Sequence, residues 1–327
     1  MVSAPQLDQH RARIIVPTSV DFVKQVTRDR QGNYRRATTC KKREHLKAKG
    51  VPVPAQATDR QVNTAIERII DGDDLKPISW LTKARTAAAA VGLISMKVDG
   101  KEASATGFMI SPCLMMTNHH VLHTAEEASD PSVNFTFGHE KSSDNRPLVG
   151  EETISLDAAA FFVSSEELDY TIVGVGRTTD RQLPGDKYGR LPLIKASSKA
   201  LPGSALNIIQ HPGGNYKQIA FRNNLMTDAE TPNLLVYLGD TTPGSSGSPV
   251  LDDDFDLVAL HHGSRDFIDD HGNRIDLNGD PVTAETPEAL RYWVANEGWI
   301  RISAIVADLA RRQMSPQQRA LISAAIL

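Results

Sequence analysis

From about Ala87 onward the apolar residues arrive in short runs separated by turn residues, with little that repeats at helical spacing. That texture predicts six strands, at Ala90–Val98, Ala105–Ile110, Leu114–Thr117, Val133–Phe137, Ile154–Val163 and Tyr170–Val175. A turn-rich stretch from Arg177 to Arg190, with Pro184-Gly185-Asp186 inside it, then interrupts the pattern. A second series follows at Leu191–Lys195, Ala205–Gln210, Gln218–Phe221, Leu234–Leu238, Pro249–Leu251 and Leu257–His261. Many short strands with frequent turns argue for a mainly β chain built as a barrel or sandwich. Two sets of six predict two six-stranded antiparallel barrels of about 90 residues each. No sequence repeat relates the halves, so any kinship between them is architectural.

The flanks read differently. Residues 1–60 are polar, with a basic cluster from Arg35 to Lys49 and prolines at positions 52 and 54. Val62, Ala65, Ile66, Ile69 and Ile70 recur at helical spacing and predict a short amphipathic helix, which Asp71-Gly72-Asp73-Asp74 ends. After the last predicted strand comes a polar insertion, Arg265 to Pro281. Its D-L-N-G-D segment (Asp276, Asn278, Asp280) imitates the start of a calcium loop, but Pro281 stands where such a loop needs glycine, so polar turns are expected instead. Ile302–Met314 and Pro316–Leu327 carry helical patterns, and the first is expected to pack on the second barrel. The expected divisions are a basic extension (1–85), a first barrel (86–185), a second barrel (186–300) and a helical tail (301–327).

Composition narrows the class without naming a function. The 327 residues are 40% hydrophobic and 23% charged, ordinary for a soluble globular protein. Net charge is −4, yet residues 1–50 hold twelve Lys and Arg against four Asp and Glu, so a basic head precedes an acidic body. No aromatic residues interleave with the basic cluster, so no nucleic-acid partner is expected. Cys40 and Cys113 are too few for a disulfide framework. The first residues lack a basic-then-apolar signal pattern, and no apolar run reaches the roughly 18–20 residues of a membrane span. These features predict a cytoplasmic chain that does not engage a membrane.

The chemistry centres on Asp240 to Val250, D-T-T-P-G-S-S-G-S-P-V. Gly244 and Gly247 bracket Ser246 and let the backbone fold tightly with its amides turned inward, as an oxyanion requires. A serine nucleophile needs a base, usually histidine, and a carboxylate to orient that base. Met115-Met116-Thr117-Asn118-His119-His120-Val121 supplies histidines at a strand end, and Leu168-Asp169-Tyr170-Thr171-Ile172-Val173 supplies a carboxylate at a strand start. An α/β-hydrolase would place serine first and would need a final glycine in G-x-S-x-G; this chain has neither.

With T-G-F-M-I-S-P, T-N-H-H-V, D-Y-T-I-V and P-G-S-S-G-S-P-V in this order, the chain resembles the chymotrypsin-fold serine endopeptidases, in particular the bacterial trypsin-like and V8-like (glutamyl endopeptidase) branch. The resemblance implies His120 as general base, Asp169 as its orienting carboxylate and Ser246 as nucleophile, with the amides of Gly244 and Ser246 as oxyanion hole. His119 and His123 are expected to be structural or exposed. Val121 replaces the half-cystine that secreted trypsins place after the histidine, and Ser245 replaces the aspartate that pairs with a new N-terminus on zymogen cleavage. Two signals bear on the residue before the scissile bond. Asp240 matches the position that makes trypsins prefer Arg or Lys, whereas Thr241 and His261 match residues with which glutamyl endopeptidases receive an acidic side chain; Asp240 and His261 could also neutralise each other. A basic preference is expected. No cofactor or metal is implied, and the partners expected are a protein or peptide substrate and an upstream protease or regulatory partner acting through residues 1–85. The alternative is a catalytically silent trypsin-like fold serving as a binding or signalling module.

Overall fold

The computed structural model describes residues 56, 76–195, 205–221, 226–228, 235–237, 244–264, 271, 273–275, 280–286, 296–298 and 300–327. The basic cluster and the Val62–Ile70 helix expected from the sequence lie outside these residues, as do Asp276 and Asn278. Two compact units emerge. One comprises Leu81–Arg265 with Ala295–Leu327 within it; the other comprises Val16–Trp80 with Asp266–Val294. Among the described residues of the second unit, Ile275 and Pro281 form an antiparallel bridge.

The first unit is mainly β. Helix α1 (Ser79–Ala89) leads into β1 (Val91–Val98), followed by β2 (Lys101–Met109), β3 (Leu114–Thr117), β4 (Asn134–Phe137), β5 (Glu152–Ser165) and β6 (Tyr170–Val175). These six close into a barrel in the order β1-β2-β3-β6-β5-β4. All six lie where the apolar runs predict, with β2 and β5 longer because their polar ends continue the pairing. Inside, Ile94, Met109, Met115, Phe135, Phe137, Ile154 and Val173 make one apolar cluster. Burying such side chains supplies about 1.5–3 kcal/mol each, the main drive for closure.

The described residues beyond Gly176 form two sheets. Strands β7 (Asn207–Gln210), β8 (Gln218–Ala220), β9 (Met226–Asp228), β10 (Leu235–Tyr237), β11 (Pro249–Leu251), β12 (Leu257–Leu260), β13 (Gly263–Ser264), β14 (Asn296–Gly298) and β15 (Ile300–Arg301) pair as β15-β12-β11-β7-β8 and β13-β14-β10-β9. Leu206, Ile208, Val250, Val258 and Ala259 form the apolar cluster of the five-stranded sheet. The expected strand at Leu191–Lys195 is corrected: Leu193 joins no sheet and makes a parallel bridge to Ile326 instead. Its amide donates to the Ala325 carbonyl and its carbonyl accepts from Leu327, so the chain end supplies the partners that a sheet would have.

Helices α2 (Ile302–Arg311) and α3 (Pro316–Ser323) close the chain. Ser315 caps α3 reciprocally with Gln318. Helix α2 buries Ile302, Ile305, Val306 and Leu309 along one face. It packs on β12 and β15, as expected, and it also grips the first barrel. Tyr170 at the start of β6 donates its hydroxyl to Asp308 (2.6 Å), and Arg312 donates to Asp308 (2.6 Å) and to the Ser164 carbonyl (2.8 Å).

A second clasp sits on the barrel at Glu152. Its carboxylate accepts from the Thr179 amide (2.8 Å) and hydroxyl (2.6 Å), from the Tyr188 hydroxyl and from Lys187 (3.0 Å). Burial alone would raise this carboxyl, but the hydrogen bonds outweigh it and hold it at about 2, below the ordinary 4.5. A carboxyl depressed in the folded state stabilises the fold above its unfolded value and loses that contribution as pH falls through the folded one. Glu152→Gln is therefore expected to cost about 2 kcal/mol at pH 7. The deficit should shrink between pH 4.5 and about 2; urea denaturation of both proteins across that range measures it, and an equal deficit at pH 7 and pH 2 contradicts the assignment.

Candidate active site

Register sets the site's position. Thr117, the last residue of β3, pairs with Thr171, the second of β6. Residues just after β3 and just before β6 therefore meet at one rim of the barrel. His120 is three positions past Thr117 and Asp169 is two positions before Thr171, so the antiparallel ladder brings them face to face. Asn118 donates its side-chain amide to the Asp169 carbonyl (2.9 Å), and the His120 amide donates to Asp169 Oδ1 (2.9 Å). Asp169 itself has φ +38°, a left-handed backbone that aspartate tolerates better than most residues.

His120 Nδ1 lies 2.9 Å from Asp169 Oδ2 and 3.1 Å from Oδ1. An ionised carboxylate can only accept, so this nitrogen carries a proton, and in the neutral form of the ring the lone pair is then on Nε2. Burial works to protonate Asp169, but His120 and then His262 favour its charge and hold it well below the usual carboxylate range. The neighbouring His119 faces Ser164 (2.7 Å) and meets the His123 ring edge-on. Burial pushes the His119 imidazole below its ordinary value. His123 pairs with Glu127 at the surface.

The serine loop reaches the same barrel through Thr106 of β2. Ser246 is half-buried between Ser245 and Gly247, and the Ser248 amide donates back to the Ser245 carbonyl (3.1 Å), closing a tight turn. Gly244 and Gly247 take φ of +98° and +82°. A β-carbon on Gly247 would come within 2.2 Å of the Thr106 carbonyl, and one on Gly244 within 2.7 Å of the His211 carbonyl. Only glycine fits either position. Thr106 is wholly buried and uses every polar atom it has. Its amide donates to the Ser246 carbonyl (2.8 Å) and its hydroxyl to the Gly244 carbonyl (2.9 Å). The same hydroxyl accepts from the His211 amide (3.0 Å), while its carbonyl accepts from the Thr117 hydroxyl (2.9 Å). One residue thus ties the serine turn to β3, the strand that leads to His120. Among the described residues, the amides of Gly244 and Ser246 have no acceptor.

The residues expected to line the specificity pocket are only partly described. Asp240 and Thr241 lie outside the described residues. His261 is buried at the end of β12, its amide donating to the Ser248 carbonyl (2.9 Å) and its carbonyl accepting from Gly247 (3.0 Å). The sequence reading weighed His261 and passed over His262. Yet His262 Nδ1 contacts Asp169 Oδ2, and its ring stands edge-on to His120 at 5.1 Å between centroids. The available signal was the doubled histidine at a strand end, where consecutive side chains point to opposite faces. His211 was missed as well. It is buried, donates Nδ1–H to the Asn215 carbonyl (3.0 Å), and burial drives its imidazole down to about 3. Among the described residues, Cys113 is a free, half-buried cysteine, and Val121, which replaces the half-cystine of secreted trypsins, is buried. Among the described residues, His120, Asp169 and His262 are the one group of His, Cys, Asp and Glu whose potential ligand atoms all lie within 4.8 Å of one another.

Residues 105–260 match the family model described as a trypsin-like peptidase domain. The chain is 34% identical over 268 residues to the uncharacterized protein y4fB of Sinorhizobium fredii, covering 76% of this chain and 40% of y4fB. It is 30% identical over 218 residues to the secreted RxLR effector protein 73 of Plasmopara viticola, covering 62% and 52%. The chain spans about half the length, or less, of these curated relatives. Among solved structures, a Glu endopeptidase in complex with MPD is similar at 19% identity and TM-score 0.41, covering 68% of this chain and 90% of that one. The serine endoprotease from Yersinia pestis is similar at 14% and 0.45, covering 75% and 68%. The match to the trypsin-like peptidase domain, residues 105–260, takes in His120, Asp169 and Ser246.

Proposed function

We propose that the protein is a serine endopeptidase working through His120, Asp169 and Ser246 and an acyl-enzyme. The observation that carries the reading is the Asp169–His120 pair at the barrel rim, joined through Thr117 and Thr106 to the loop that presents Ser246. With Nδ1–H committed to Asp169, His120 Nε2 takes the Ser246 hydroxyl proton as Oγ attacks the peptide carbonyl. The oxygen that becomes charged accepts from the amides of Gly244 and Ser246. His120 then returns the proton to the leaving amine and afterwards activates the water that frees Ser246. The two sheets beyond Gly176 form the second barrel in this reading. Residues 1–85 regulate the enzyme and take no part in its chemistry. A silent binding module is not favoured, because such a module has no chemical use for all three groups.

Labelling with a fluorophosphonate probe tests the reading directly. Wild-type protein should label at Ser246, and Ser246→Ala should not; an unlabelled wild-type protein overturns the assignment. In peptide cleavage, Ser246→Ala and His120→Ala should each lose about 10⁴-fold or more in kcat, while His119→Ala keeps most activity. A dead His119→Ala with a live His120→Ala would reverse the choice within the pair.

Thr106→Val keeps the shape but leaves the Gly244 carbonyl and the His211 amide without their partner. A loss of about 2 kcal/mol in stability and of at least about tenfold in kcat is expected. Denaturation and steady-state kinetics on the one variant measure both, and unchanged kinetics would remove Thr106 from the serine loop's support.

For specificity, we assign the pocket to Asp240, which favours Arg or Lys before the scissile bond by a bidentate charge pair. Such peptides should be cut faster than those with Glu, and Asp240→Ser should abolish the preference. A profile dominated by Glu or Asp would transfer the pocket to Thr241 and His261.

A further inference from the structure

The second histidine on Asp169 gives the rim a chemistry that peptide cleavage does not need. His120, Asp169 and His262 each offer one ligand atom, and the three atoms lie within 4.8 Å of one another. Two imidazole nitrogens and one carboxylate oxygen are the donor set of three-ligand zinc sites, which leave a fourth position to water. A tetrahedral zinc with bonds of about 2.0–2.2 Å spaces its ligand atoms by about 3.5 Å, a span this cluster can reach with small side-chain shifts. Imidazole suits zinc far better than the hard cations calcium and magnesium, which favour oxygen ligands. The side chains are 13%, 11% and 24% exposed, enough for an ion to enter from solvent.

We propose that these three residues form an inhibitory Zn²⁺ site that switches the enzyme off reversibly. The loss of activity rests on the endopeptidase reading; the metal binding does not. The mechanism is a competition for one nitrogen. An active His120 keeps its proton on Nδ1, donated to Asp169, and its lone pair on Nε2. Zinc on Nδ1 needs the lone pair there, so the proton moves to Nε2, and Nε2 can no longer accept from Ser246. The ion also takes the Asp169 oxygen that orients the ring. Zinc and the Ser246 proton therefore cannot both be served by His120. His262 contributes the third ligand, and the sequence places it beside His261 at the end of β12, so the two halves of the unit each supply part of the site.

The full chain, freed of metal, is titrated with Zn²⁺ against a chromophoric zinc indicator, and fluorophosphonate labelling is followed in parallel. One ion per chain is expected, with Ser246→Ala binding as wild type does. His262→Gln and His262→Asn should each weaken binding at least tenfold, each variant's labelling being compared with its own metal-free rate and its fold checked by melting temperature. His123→Ala, at the exposed His123–Glu127 pair, should bind as wild type does. Zinc should stop wild-type labelling and a chelator should restore it, whereas Mg²⁺ and Ca²⁺ should do neither. Equal zinc affinity in wild type and both folded His262 variants overturns the site, as does zinc binding that leaves labelling unchanged. A wild-type protein that binds zinc at His262 but never labels, with or without metal, refutes the endopeptidase reading and leaves the metal site standing.

Discussion

Thr106 is the constraint on which the rest of the site depends. It sits inside β2 with no exposed surface, so every polar atom it carries must be paired or the fold pays a desolvation cost of about 1–3 kcal/mol per orphan. Its partners are drawn from three different places in the chain: the serine turn, the turn at His211 and the strand that ends at Thr117. A single satisfied residue thereby converts local barrel closure into the joint placement of loops about 100 residues and more apart. The two glycines of the serine turn follow from the same contact, because the Thr106 and His211 carbonyls occupy the space a side chain would need.

The carboxylate at the barrel rim is the second organising element. Asp169 is buried, which opposes its charge, and it stays ionised because imidazole N–H groups and the His120 amide converge on it. Its support extends well beyond the site. The next residue, Tyr170, is tied through Asp308 and Arg312 to helix α2, and Arg312 returns to Ser164, the residue that also takes His119. Helix α2 thus braces the start of β6, next to the carboxylate, while the Ser164 hydroxyl holds His119. In the proposed reaction, a fixed orientation of His120 is what such a frame would supply.

The histidine on the other side of Asp169 changes the balance of this frame. Two imidazoles on one carboxylate make a firmer charge clamp than one, and they also bring three potential ligand atoms within 4.8 Å of one another. The same geometry that orients a base for proton transfer is, with the protons elsewhere, a set of convergent lone pairs. That dual character comes from the tautomerism of histidine and from no additional element of the fold.

The sequence by itself determined the strands of the first barrel, because runs such as Leu114–Thr117 and Tyr170–Val175 are apolar on both faces and have no other way to be buried. It also marked His120, Asp169 and Ser246 as candidates, since each stands in a local setting that motif and turn residues single out. Tertiary structure alone decided what those residues touch. Leu191–Lys195 reads as a strand, yet its partner is the chain end, a contact between residues more than 130 positions apart that no local pattern encodes. His261 and His262 are indistinguishable as letters. One is buried against the serine turn and the other faces Asp169, because adjacent residues at a strand end point opposite ways and only the packed barrel says which way is inward. Thr106 was legible as part of a motif but not as a hub, since its four bonds become possible only when three distant segments meet.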